Sequence, residues 1–316
     1  MSPPEALVVT APGKVMFAGE YAVLHGSDAV LVAVNRRGQA FDGEPVASGL
    51  FDTLEGVLRN RGLKEAADRL GHIKVETGAF YDSSGEKLGI GSSAAAVVVA
   101  SGFALWEGAP PPLDLLLEVA RQAHGDFQSQ KGGRGSGVDV VCSALGGAVT
   151  ATASGRYQRL TLPENFYWAL VWTGKGANSP DLISQVDMFA QGDRVLASRL
   201  FSELADVAAL FRKACEGSHG TEAVAALDRG ALALDALGQA AKVELTLPVH
   251  KSLRAVAARF GGTAKPVGAG GGDVCLCAFS SQSALAEFKE EVSNASFVAL
   301  AEEPLGVQWS TSTVLP

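Results

Sequence analysis

The stretch Leu88-Gly89-Ile90-Gly91-Ser92-Ser93, running straight into Ala94–Trp106, decides how this chain is read. Its glycines allow positive φ and let backbone approach a ligand closely. The segment after them is almost wholly apolar, which predicts a helix buried on every side. A helix that opens on a glycine loop aims unpaired N–H groups, and the positive end of its dipole, at whatever lies in front of it. Two readings stay open here. One is an anion site with the hydroxyls of Ser92 and Ser93 at its mouth; the other is a tight turn with a serine cap. The loop is not a Walker A motif, because no Lys follows Gly91 in the required register.

Outward from this loop, the first third reads as strands. Ala6–Thr10 and Val15–Ala18 are apolar runs separated by Ala11-Pro12-Gly13-Lys14, Ala29–Val34 is a third, and His72–Thr77 alternates with period two. Leu50–Leu70 has helical spacing. Asp114–Gln128 predicts an amphipathic helix after the breaker Pro110-Pro111-Pro112, and Gly146–Ala153 returns to strand. The second half opens with strand Tyr167–Trp172. Helical stretches follow at Pro180–Cys215, Thr221–Lys242, Val249–Phe260 and Ser283–Val292, with strands Val274–Phe279 and Gly306–Ser310. Helices and strands mix without a βαβ rhythm, so the expected fold class is α+β. At 316 residues two domains are expected, with a boundary near Pro163 dividing 1–163 from 164–316.

Composition removes several classes. An apolar share of 47% is too high for a disordered chain. Four cysteines, at 142, 215, 275 and 277, are too few for a disulfide scaffold of this length, and Cys275 and Cys277 fit a buried strand better than a metal site. The five histidines show no ligand spacing. A net charge of −8 argues against a nucleic-acid partner. Ala94–Trp106 is shorter than the roughly 20 residues of a spanning helix, and Met1–Glu5 lacks the features of a secretory leader. No membrane partner and a cytoplasmic location are therefore expected.

Two more glycine clusters carry charged residues. Gly132–Gly137 leads to Asp139, and Gly268–Gly272 leads to Asp273 and a strand. A strand after glycines is the wrong order for a dinucleotide fingerprint. Asp139 is either a carboxylate that orients or deprotonates a hydroxyl, or a helix cap. Lys14 is either a phosphate-neutralising cation or a solvated turn residue.

Three segments in order resemble the GHMP kinases, the family of galactokinase, homoserine kinase, mevalonate kinase and phosphomevalonate kinase. They are Ala11-Pro12-Gly13-Lys14-Val15-Met16-Phe17-Ala18-Gly19-Glu20-Tyr21-Ala22-Val23-Leu24, then Gly89-Ile90-Gly91-Ser92-Ser93-Ala94-Ala95, then Lys265-Pro266-Val267-Gly268-Ala269-Gly270-Gly271-Gly272-Asp273. Within the family the phosphomevalonate kinase branch is most similar. Four features carry that: Gly19-Glu20-Tyr21, Gly135-Ser136-Gly137-Val138-Asp139-Val140, Trp172–Ser179, and the Asp ending Gly270–Asp273.

The resemblance implies an N-terminal α+β domain, a C-terminal ferredoxin-like domain and an active site between them. It implies ATP and Mg²⁺, with 5-phosphomevalonate as the phosphorylated small-molecule acceptor. Mevalonate or another small molecule of the family is the alternative acceptor, and a catalytically silent ligand sensor is a third reading. Gly89, Ile90, Gly91, Ser92, Ser93 and Ala94 would wrap the triphosphate, with Ser92 or Ser93 at the metal. Lys14 and Asp139 would be catalytic. Lys14, Glu20, Tyr21, Lys131, Arg134, Ser136, Gly137, Gly268, Ala269 and Gly270 would contact the acceptor. Gln128 is neutral where mevalonate kinases carry a Glu metal ligand. Lys131 and Arg134 suit the acceptor's own phosphate, Arg as a bidentate fork and Lys as a point charge.

Overall fold

The computed structural model describes residues 5–45 and 47–313. Met1–Pro4, which with Glu5 form the start read above as leaderless, lie outside that range. The fold is α+β, with two antiparallel sheets. The larger is ordered β10-β1-β2-β4-β5, from strands Gln308–Thr313, Glu5–Ala18, Asp28–Asp42, Ala148–Thr152 and Tyr157–Leu160, with β3 (Ile73–Glu76) pairing the far end of β2. The smaller is ordered β7-β8-β6-β9, from Thr263–Pro266, Val274–Phe279, Tyr167–Trp172 and Phe297–Val298. The chain changes sheets between β5 and β6, on either side of Pro163. The last strand returns to pair with β1, so the stretch 164–316 is not confined to the smaller sheet.

The two runs expected at Ala6–Thr10 and Val15–Ala18 are one strand. Ala11-Pro12-Gly13-Lys14 is not a turn but a bulge within β1, and its pairing with β2 shifts register between Pro12 and Gly13. Pro12 offers no N–H to the ladder, and an irregularity is where a strand accepts that. The bulge also swaps the faces of the sheet. Leu7, Val9 and Ala11 pack into one core, while Val15 and Phe17 face the other. Lys14 thereby lies on the first of these faces, as Met16 does.

That face is covered by α1 (Gly49–Asn60), α2 (Lys64–Arg69), α3 (Ser92–Ala104), α4 (Leu113–Gln130) and α5 (Val138–Leu145). As its composition demands, α3 is buried along its whole length apart from Ser93. Against the opposite face pack α7 (Arg194–Glu216) and α8 (Gly220–Ala241), preceded by α6 (Ser179–Gly192), and through them the smaller sheet. The far side of that sheet carries α9 (Pro248–Arg259) and α10 (Gln282–Glu291) over Cys275, Cys277 and Phe279. All four cysteines are free and buried, as the strand reading of Cys275 and Cys277 requires. Among the described residues no helix is long and apolar enough to cross a membrane.

Candidate active site

The start of α3 is left without a side-chain cap. Gly91 caps the helix in the left-handed region at φ 91°. The N–H groups of the first turn are left for a ligand. Lys14 lies across this loop, its N–H donating to the Ile90 carbonyl at 2.8 Å. A Cβ on Gly91 would stand 2.9 Å from Lys14 Cγ, so only glycine lets the lysine run so close.

A cavity of about 430 Å³ opens in front of the loop, lined from both sheets. Lys14, Gly89, Gly91, Ser92, Ser93 and Asp139 line one side, and Gly176, Ala177, Asn178, Ser179, Gly268, Ala269 and Asp273 the other. Asp139 sits in the first turn of α5, which Gly137 caps at φ 71°; the aspartate is not the cap itself. Burial pushes its carboxyl up, but His124, Lys14 and the N–H of Val140 outweigh this and hold it below the ordinary aspartate range. It is therefore ionised at neutral pH.

Three residues in or directly behind this cavity carry no role in the sequence reading. His124 is buried, with Nε2 3.1 Å from Ser93 Oγ and 3.5 Å from Gln128 Nε2. Its position only makes sense once α4 is laid beside α3, which linear spacing does not reveal. Lys87 lines the cavity as an exposed residue; the protein crowded around it lowers its ammonium pKa, Asp273 opposes this, and Lys14 and Lys131 add to it. Asp273 closes the glycine run at 268–272 and packs against Gly89 of the loop that opens α3.

No family model matches the chain. Mevalonate kinase of Archaeoglobus fulgidus is 30% identical over 151 residues, which cover 45% of this chain and 51% of that relative. The chain thus spans about half the length of that relative. Phosphomevalonate kinase of Streptomyces sp. (strain CL190) is 24% identical over 333 residues, covering 84% of this chain and 88% of the relative. The solved phosphomevalonate kinase of Streptococcus pneumoniae, in complex with phosphomevalonate and AMPPNP, superposes with a TM-score of 0.75 at 16% identity, over 93% of this chain and 99% of that one. The chain has the GHMP kinase fold.

In this GHMP kinase fold, most of the expected site residues meet at the cavity: Lys14, Glu20, Tyr21, Gly89, Gly91, Ser92, Ser93, Lys131, Arg134, Ser136, Asp139, Gly268 and Ala269 line it. Four expected residues do not. Ile90 and Ala94 turn their side chains into the core, because the loop and the first helical turn must anchor there. Gly137 is buried, and a Cβ on it would crowd Arg121 rather than a ligand. Gly270 packs on the Leu245 carbonyl and serves the turn.

Glu20 and Tyr21 are cavity-lining but already engaged. Glu20 Oε1 accepts from Lys265 Nζ with both side chains fully buried, and Lys265 also donates to the Pro266 carbonyl at 2.8 Å. The hydroxyl of Tyr21, a residue at φ 59°, donates to the Ala269 carbonyl at 2.7 Å. Tyr21 thus ties the end of β1 to the glycine loop at 268–272, and Glu20 ties it to β7. Lys131 and Arg134 stand exposed at the mouth. Lys131 Nζ lies 4.2 Å from the Phe127 ring centroid, and Arg134 is 3.7 Å from Asp187. Neither pairing is strong enough to exclude a ligand anion.

Proposed function

We propose that this chain transfers the γ-phosphoryl group of ATP to 5-phosphomevalonate, giving 5-diphosphomevalonate and ADP. One observation carries the reading: a single cavity joins a helix-start anion loop to a second group of cations at its mouth. A nucleotide triphosphate fills the first, and an acceptor that itself bears phosphate needs the second. The solved Streptococcus pneumoniae phosphomevalonate kinase, which holds both ligands, supports it.

In the proposed reaction an acceptor phosphate oxygen attacks Pγ as the bond from Pγ to the bridging oxygen breaks, and the electron pair leaves with ADP. That oxygen is already ionised at neutral pH, so little proton removal is needed. Lys14 and Lys87 offset charge on the transferring group, and Asp139 aligns the acceptor and balances Lys14. Ser92, Ser93 and Asp139 supply hard oxygen donors. Mg²⁺ keeps phosphate oxygens and water in its shell and asks for only one or two protein oxygens, so these residues fit it. Among the described residues no cluster of three or more His, Cys, Asp or Glu forms a separate metal cage. Bound there by Ser92 or Ser93, Mg²⁺ would neutralise charge on the triphosphate. The reading takes residues up to 163, with the returning β10, as the nucleotide-binding unit, the rest as the second unit, and the cytoplasm as the location.

The test is ADP release with Mg-ATP and mevalonate, 5-phosphomevalonate, homoserine or galactose offered separately. Turnover with 5-phosphomevalonate alone is expected; turnover with mevalonate instead would move the assignment to that acceptor, and silence with all four would overturn it. Lys131→Ala and Arg134→Ala are each expected to raise the acceptor KM about 10-fold or more and to leave the nucleotide KM unchanged, the loss of one charge-assisted contact. An unchanged acceptor KM in both would remove them from the acceptor site.

A further inference from the structure

We propose that Asp273 is a positioning residue whose side chain clasps the loop Thr173–Asn178, on the far wall of the cavity, to the glycine loop at Gly89, so that filling one loop orders the other. Asp273 sits in the left-handed region at φ 55°, one of few non-glycine residues there. Aspartate tolerates that conformation better than most residues, but the position costs energy that a glycine would not spend.

The conformation aims the residue at two loops from different units. Its N–H donates to the Lys175 carbonyl at 2.7 Å. Its carbonyl accepts from Thr173 N at 3.0 Å and Thr173 Oγ1 at 2.8 Å. Its Oδ1 accepts the N–H of Ala177 at 3.0 Å. The rest of the carboxyl group presses on Gly89, where an added Cβ would overlap it outright. Gly89 itself holds φ 71°. One side chain thus bears on the loop 173–178 through Ala177 and on the glycine loop before α3 through Gly89. Ala177 and Gly89 both line the cavity.

The inference rests on the phosphotransfer reading only for the nucleotide that fills the phosphate loop. Its test therefore uses that ligand alone: hydrogen exchange of the full chain with and without Mg-AMPPNP. In the wild type, exchange in 173–178 is expected to slow about fivefold or more on adding the analogue. Asp273→Gly occupies φ 55° without strain, so its fold should be kept. It is expected to lose the protection of 173–178 while keeping that of 89–95. Asp273→Asn retains an acceptor for the Ala177 N–H and is expected to retain the coupling.

Wild-type protection of 173–178 in Asp273→Gly would overturn the clasp, because direct nucleotide contact would then explain it. No added protection in the wild type would overturn it as well. In turnover with 5-phosphomevalonate, Asp273→Gly should raise the acceptor KM at saturating nucleotide and the nucleotide KM at saturating acceptor by similar factors of about tenfold. Failure of the acceptor itself to turn over would count against the substrate assignment and leave the exchange result standing.

Discussion

Asp139→Asn is expected to lower kcat by about 10²- to 10³-fold and to leave both KM values within a factor of about three. The amide keeps the size of the carboxylate and its place in the first turn of α5, so binding is little disturbed. It removes the negative charge that faces Lys14 and His124. The fall is placed at the lower end of the usual range for acid–base residues because the attacking phosphate oxygen needs no base at neutral pH. The same carboxyl is held below the ordinary aspartate value, so its ionised form persists as pH falls toward that range. The wild-type kcat profile should then show no limb from Asp139 above about pH 5, well clear of the reference carboxylate value. Steady-state kinetics of the variant, with a pH profile of the wild type, checks both statements. Unchanged turnover would take Asp139 out of the chemistry.

Lys265→Met is expected to destabilise the fold by about 3–5 kcal/mol, the usual loss when one partner of a buried ion pair is removed. Lys265 and Glu20 are both fully buried, and Glu20 Oε2 has no partner among the described residues. Even with the lysine present, burial pushes the Glu20 carboxyl above its ordinary value, with Lys265 pulling the other way. For an acid raised on folding, the protonated native form binds its proton more tightly than the unfolded chain does. Its contribution is complete below the unfolded value of 4.5 and is lost as pH rises through the folded one. Without Lys265 the folded value moves further up. The variant should therefore regain part of its stability as pH is lowered from 7 toward 5. Urea unfolding of both proteins at pH 7 and pH 5 checks this. A pair-removed Glu20→Gln, Lys265→Met protein should recover most of the loss. Equal stability of wild type and Lys265→Met at pH 7 would sink the argument.

The pair also shows why part of the site was hidden in the sequence. Glu20 and Lys265 are 245 positions apart, and nothing local to either marks a buried charge. Glu20 looked available for a substrate; the fold has already given it a partner. His124 is similar. It is one of five unremarkable histidines until α4 lies against α3 and brings its ring to Ser93.

What the chain states locally it states well. The apolar run after Ser93 makes a buried helix because no face of it can meet water. Gly89 and Gly91 make a left-handed loop because other residues resist those angles, and Val274–Phe279 makes a buried strand. Those patterns determined the α+β class, the glycine loop that opens α3 and the presence of Lys14 and Asp139 in glycine-bounded segments. The face of β1 that carries Lys14 was decided only by pairing, since the bulge at Pro12 and Gly13 exists through its register against β2. The return of β10 to β1, the burial of Glu20 on Lys265, and the seat of Asp273 on Gly89 were likewise set only in three dimensions. Each depends on two segments distant in the chain, and neither segment carries a signal of its partner.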